Sequence, residues 1–277
     1  MATLIQSLQH ILAQKDPLLA NETKRIVLKE VLQVYALDFL FNNPDYRRLN
    51  FYGGTCLHLL FGLNRLSEDI DLDNRSGLNI TSLDQDLAAY FKAVVAYPQV
   101  SVKQQQGAGG ILRITLKFPV LYDLGLSANT NEVLHLKVEI STHQQVAVIR
   151  KTPLLSFGRS FVPAHFSLET MMAGKMLACL ERKFQKGTTG SGVKGRDFYD
   201  LLWFMQRQVQ PLEEKLAKDG SVPYTVSSAM QALTEKVGLL RVSDLAVDLL
   251  PLFEQRSYIQ SWLEVFKENF MDLSSRY

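Results

Sequence analysis

One stretch constrains this chain more than any other: residues 51–73, FYGGTCLHLLFGLNRLSEDIDLD. It reads as a Gly53-Gly54-Thr55 turn, a short apolar helix and a strand carrying Asp69-Ile70-Asp71. A strand presents alternate residues to one face. Ile70 and Leu72 therefore point into a core, and Ser67, Asp69, Asp71 and Asp73 point the other way. Two carboxylates held side by side on a rigid strand repel one another. A divalent cation is the usual compensation, and Mg2+ takes oxygen ligands that substrate phosphates commonly complete. The glycine pair allows unusual φ and lets backbone approach a phosphate with no Cβ between. Alone, a Gly-Gly pair is most often a turn and an Asp-x-Asp a solvated strand end. In this order, joined by an apolar helix, they read as a phosphate-and-metal site.

The chain has 277 residues, enough for two modest domains or one large one. At 47% hydrophobic and 21% charged it is expected to form a packed core, not a disordered chain. The net charge of +2 does not announce a nucleic-acid binder, although it conceals local clusters. Cys56 and Cys179 both fall in apolar helical segments without metal-ligand spacing, so they read as buried free thiols of a reducing cytoplasm. The opening MATLIQSLQHILAQKD lacks the basic and cleavage regions of a signal peptide, and no apolar run is long enough to span a membrane.

Hydrophobic periodicity predicts helices over about 4–12, 21–41, 56–62 and 82–95, and strands over 49–52, 67–73, 100–104, 111–120, 133–141 and 146–149. The strands at 111–120 and 133–141 alternate cleanly, with Leu112, Ile114, Leu116 and Phe118, then Leu134, Leu136, Val138 and Ile140, facing inward. Phe157-Gly158, Pro163 and fading strand patterning suggest a boundary after residue 157, with only helices beyond it. The expectation is an α+β first domain, residues 1–157, with a mixed or antiparallel sheet, and an all-helical second domain, residues 158–277. Sites commonly lie in clefts between such halves.

Several residues beyond the opening stretch could carry chemistry. Glu139 sits on the polar side of its strand; if that strand lies beside Asp69 and Asp71, it is a third carboxylate over the same metals, and otherwise a solvated strand acid. Lys175 lies on the apolar stripe of its helix, with Leu168, Met171, Met172, Ala178 and Cys179 around it. It must snorkel out or meet an anion. Arg182 follows seven residues later on the same face. A run of Arg182, Lys183, Lys186, Lys194 and Arg196, in a glycine-rich loop, suits polyphosphate or nucleic acid, and otherwise reads as a solvated linker. Asp197 opens a helix and Asp200 follows it, one facing a cleft and the other anchoring Arg196 or Arg65. Arg65 suits phosphate or a pair with Asp73. A phosphate on Ser67 would add roughly −1.5 to −2 charge beside the carboxylates and compete with metal and nucleotide.

Taken together, Tyr52-Gly53-Gly54-Thr55, Arg65-x-Ser67-x-Asp69-Ile70-Asp71-Leu72, Lys175 and Arg196-Asp197-x-x-Asp200-Leu201 resemble the AbiEii/MenT-type nucleotidyltransferase toxins of the DNA polymerase β-like superfamily. The resemblance implies a polymerase β-like domain followed by helices, in a toxin of a two-gene toxin–antitoxin or abortive-infection system. It implies Mg2+ (or Mn2+) and an NTP, nucleotide transfer to the 3′ acceptor end of tRNA, blocked translation, and a protein antitoxin as partner. By motif, Gly53, Gly54, Thr55, Arg65, Ser67 and Arg182 would meet the nucleotide. Asp69 and Asp71 would hold metal, Glu139 would be the third acid, and Lys175 and Asp197 would be catalytic. Ser67 matches a serine phosphorylated in some neutralised members. Two other readings stay open: an acceptor hydroxyl on a small molecule or protein, and a nucleotide-binding interaction protein without turnover.

Overall fold

The computed structural model describes residues 3–142, 144–182 and 193–277. Lys183, Lys186 and most of the glycine-rich loop therefore lie outside the described residues. The chain divides into two compact units: residues 1–144 with 150–165, and residues 145–149 with 166–277.

The first unit is built on a seven-stranded sheet of order β3-β4-β5-β2-β1-β9-β6. Its strands are β1 (Asn50–Tyr52), β2 (Asp69–Asp73), β3 (Ser101–Gln106), β4 (Ile111–Phe118), β5 (Leu134–Ser141), β6 (Ile149–Lys151) and β9 (Ala164–Phe166). The sheet is mixed: β2 runs parallel to β5 and β1 parallel to β9, whereas β1–β2, β3–β4 and β4–β5 are antiparallel. Its helices are α1 (Leu4–Ala13), α2 (Asn21–Asn42), α3 (Gly53–Phe61) and α4 (Leu83–Ala93).

Alternation sets one face of the sheet. Ile70, Leu72, Leu112, Ile114, Leu116, Leu136, Val138 and Ile140 are all buried. Helix α2 packs against β5 and α4 against β3, and each fully buried Leu or Ile side chain stabilises by about 2 kcal/mol. Helix α2 also reaches the approach to β2: Gln33 Nε2 donates to the Ser67 carbonyl at 3.0 Å, and Lys29 pairs with Glu68 at 2.6 Å.

Two local expectations are corrected. Helix α3 begins at Gly53, so the glycine pair is the first turn of the helix and not a separate turn before it. Strand β2 begins at Asp69, so Ser67 precedes the strand and does not share its pleated face. A third correction lies at 146–166. No strand forms over 146–148, and short strands continue past residue 158: β7 (Leu154–Ser156), β8 (Arg159–Phe161) and β9. Phe157 and Gly158, both at positive φ, make the tight turn of the β7–β8 hairpin. Three-residue strands are too short to display a period of two.

The second unit is helical: α5 (Leu168–Glu181), α6 (Gly195–Gln206), α7 (Glu213–Asp219), α8 (Val226–Leu239), α9 (Val242–Leu249) and α10 (Arg256–Ser274). Helix α6 is buried on almost every side, and its Phe198 and Tyr199 meet Phe253, Trp262 and Phe266 in an aromatic cluster. No described helix is long and apolar enough to cross a membrane. Both cysteines are free and buried.

Candidate active site

The first unit gathers most of the expected residues around the start of α3. Gly53 has φ +80, and a side chain there would collide with the Asp71 carboxylate. Both the backbone angle and the close approach require glycine at this position. A Cβ at Gly54 would stand 2.7 Å from Arg65 Nη2 and 2.8 Å from Ser67 Oγ. The pair is thus held between Asp71 on one side and Arg65 with Ser67 on the other. The N-cap residue of α3, Tyr52, makes no side-chain cap hydrogen bond, and the first-turn N–H groups of a helix are a natural anion-binding feature.

Thr55 is fully buried, and its hydroxyl donates to the carbonyl of Asp69. Its side chain therefore ties α3 to β2, and only its backbone faces the turn. Arg65 is 2% exposed, and its Nη1 donates to the Leu66 carbonyl at 3.0 Å. A guanidinium this deep supports the turn from behind. Asp73 is sealed by Arg75 Nε at 2.9 Å and Asn50 Nδ2 at 3.2 Å.

Asp69 and Asp71 remain half-buried on the polar face of β2, while Ile70 and Leu72 between and after them are fully buried. Strand β5 lies directly beside β2, and Glu139 pairs in register with Asp71. Burial, followed by the charges of Glu68 and Glu139, pushes the Asp69 carboxyl above its ordinary range; Lys137 and Lys29 only partly offset this. Crowded carboxylate oxygens on an edge short of positive charge fit a hard divalent cation. Glu139 fits less directly, because Arg113 Nε holds its Oε1 at 2.7 Å. Among the described residues no three acids, histidines or cysteines are gathered as a metal site.

The second unit carries the other expected group. Lys175 Nζ lies 2.9 Å from Asp197 Oδ1 and 2.7 Å from Asp200 Oδ2. Arg182 Nη1 meets Asp197 Oδ2 at 2.5 Å. The lysine on an apolar stripe has therefore met anions instead of snorkelling. Burial pushes the Asp197 carboxyl up, but Lys175 and Arg182 outweigh it and bring it down to about 2. Both acids face Lys175, and Arg196 turns instead to Asp248, whose carboxylate its backbone N–H also meets at 3.1 Å. Lys194 lines a small crevice with Arg182, Asp197 and Lys236.

Sequence reasoning missed Arg113, Lys137 and Gln33. The alternation of β4 placed Arg113 on a polar face, but nothing local paired it with a glutamate 26 residues away.

Comparison with known proteins adds to this geometry. Residues 38–270 match the family model described as nucleotidyl transferase AbiEii toxin, type IV TA system. A search of curated proteins finds no match. Among solved structures, the chain resembles JHP933 from Helicobacter pylori, with 18% identity, 89% of this chain and 90% of that one covered, and a TM-score of 0.52. It also resembles an H. pylori protein described as a candidate nucleotidyltransferase, with 18% identity, coverage of 89% and 93%, and a TM-score of 0.53. At that identity the likeness speaks for the fold alone.

Proposed function

The chain belongs to the AbiEii nucleotidyl transferase toxin family of type IV toxin–antitoxin systems, and on that premise we propose that it moves nucleotides from an NTP onto the 3′ acceptor end of tRNA, blocking translation in the cytoplasm. A cognate antitoxin protein is its partner. The observation that carries this reading is the carboxylate edge of β2: Asp69 and Asp71 side by side, Asp71 against Gly53 and opposite Glu139.

Asp69 and Asp71 would hold Mg2+ or Mn2+, with Glu139 joining once it leaves Arg113. A cation there supplies positive charge that lowers the acceptor hydroxyl's pKa and stabilises the departing pyrophosphate. The chain's own groups do the positioning. The first-turn N–H groups of Gly53, Gly54 and Thr55 donate to phosphate oxygens, and glycine at 53 and 54 keeps side chains out of the turn. The Thr55 hydroxyl fixes the Asp69 backbone, and so the direction of its carboxylate. Arg65 lends positive charge to the turn from beneath. Lys175 and Arg182 bring the charge that a triphosphate requires, and Asp197 orients Lys175. Ser67 Oγ sits close against Gly54, so a phosphate on it would crowd and repel the nucleotide, switching the enzyme off.

The test is incubation of the purified protein with each labelled NTP, Mg2+ and total tRNA, beside an Asp69→Ala control. Label in tRNA from at least one NTP, lost in the control, is expected. Label on protein or small molecules alone would replace the acceptor. No transfer from any NTP would remove the enzymatic reading.

A further inference from the structure

The polar face of the sheet continues well beyond the two aspartates. Strand pairing sets Lys103, Thr115, Lys137 and Asp69 in one row across β3, β4, β5 and β2. The row on one side carries Ser101, Lys117 and His135. The row on the other carries Gln105, Arg113, Glu139 and Asp71. Residues paired across strands share a face, so this surface is one continuous polar plane ending on the carboxylate edge.

Its charge is lopsided. Strands β3 and β4 contain no acid, and the one acid of β5, Glu139, is held by Arg113. Lys103, His135 and Lys137 are exposed and Lys117 is half-buried. None of the three lysines forms an ion pair with a described residue. Their proximity registers on His135: burial, then Lys117, Lys29 and Lys137, holds its imidazole below the usual range. Lys103 and Lys117 pair with no acid across the strands, and Lys137 stands where the row reaches Asp69; cations set close together on ordered strands are an arrangement an outside polyanion completes.

The dimensions choose among polyanions. From β2 to β3 the row crosses three strand spacings, about 14 Å at roughly 4.8 Å each. That is a path for several linked phosphates and not for a lone nucleotide seated at Asp69. Lysine contacts phosphate as a point charge, and such contacts position a strand without reading its sequence. A neutral His135 offers a ring face on which a base can stack. Strand β3 is the edge of the sheet, so the row ends at that edge.

We propose that the face from Lys137 through Lys117 to Lys103 is the track for the phosphate backbone of the RNA acceptor, with its 3′ end directed at Asp69 and Asp71. This rests on the reading of the site as an RNA nucleotidyltransferase, and it assigns the polymer to the sheet of the first unit in place of the basic loop that the sequence alone suggested.

The experiment reads RNA binding apart from transfer. Labelled total tRNA is titrated by fluorescence anisotropy at several salt concentrations, with the wild-type protein, a Lys103→Gln/Lys117→Gln double variant and Lys92→Gln, an exposed lysine of α4. The double variant is expected to bind roughly tenfold more weakly near 0.1 M salt, and to lower the slope of log K against log salt by about 1.4, at about 0.7 per lost contact. NTP affinity and thermal unfolding should not change. Equal RNA affinity and slope in wild type and double variant overturn the track, as does a matching loss in Lys92→Gln or a wild-type protein that binds no RNA. A binding loss confined to the double variant, with no label entering RNA from any NTP, keeps the track and removes the transferase reading. Label entering RNA with the same KM for RNA in both proteins does the reverse.

Discussion

Asp69 in the first unit and Asp197 in the second are the same residue in opposite electrostatic circumstances. Asp69 is half-buried on a strand, and its carboxyl is raised because burial and two neighbouring glutamates outweigh Lys137 and Lys29. Asp197 is buried more completely, yet its carboxyl falls to about 2 because Lys175 and Arg182 touch it directly. Burial alone therefore does not decide a carboxylate's state; contact with a cation does. The first unit leaves its acid short of positive charge, which suits a site that recruits a metal. The second supplies that charge from within and holds a lysine in place.

The largest way to break the contrast is at Asp69. Asp69→Asn should lower nucleotide transfer by roughly 10²–10³-fold or more, the scale for losing one group that stabilises a transition state. Thermal unfolding should stay level or rise, since the charge removed was held at a cost. A clear fall in melting temperature would show that Asp69 is a structural acid. Asp200→Ala should do the opposite. Taking one of two carboxylates from the largely buried Lys175 is expected to destabilise by about 3 kcal/mol, seen as a melting temperature lower by roughly 6–12 °C. An unchanged melt would mean that Lys175 reaches water.

Acid titration sharpens the comparison. The Asp197 carboxyl is lowered from 3.8 to about 2, so its contribution is fully present above about 4 and is lost as pH falls through about 2. That difference corresponds to about 2 kcal/mol. The gap in unfolding free energy between wild type and Asp197→Asn should shrink by this amount between pH 5 and 2, at about the stated scale. A gap independent of pH would show that the lysine and arginine do not hold that carboxylate. The smallest effect is expected at Thr55. Thr55→Val removes the bond to the Asp69 carbonyl and should cost about 1 kcal/mol in stability, measured by urea unfolding, with a proportionally larger drop in kcat than in NTP affinity.

Much of the fold was legible along the chain. The clean alternation over β4 and β5 and the apolar stripe of α2 are local signals, and they fix these elements within a few residues of their observed limits. The short strands β7, β8 and β9 were not, because three residues carry no measurable period and β9 exists only through its pairing with β1. Lys175 was legible as an anomaly, since a lysine on an apolar stripe needs an anion. That both Asp197 and Asp200 supply it depended on how α5 and α6 pack.

The residues 51–73 by themselves determined the chemistry on offer: a glycine that must take positive φ, a second glycine with no room for a side chain, and two carboxylates on alternate positions of a strand. These follow from backbone sterics and a period of two, which act within a few residues. Only the tertiary structure decided that Glu139 stands opposite Asp71 while Arg113 holds it, that Arg65 lies buried beneath the turn, and that Lys103, Lys117 and Lys137 share one face with Asp69 and Asp71. Those relations are matters of strand register and burial between segments far apart in the chain, and no local pattern encodes which strands become neighbours.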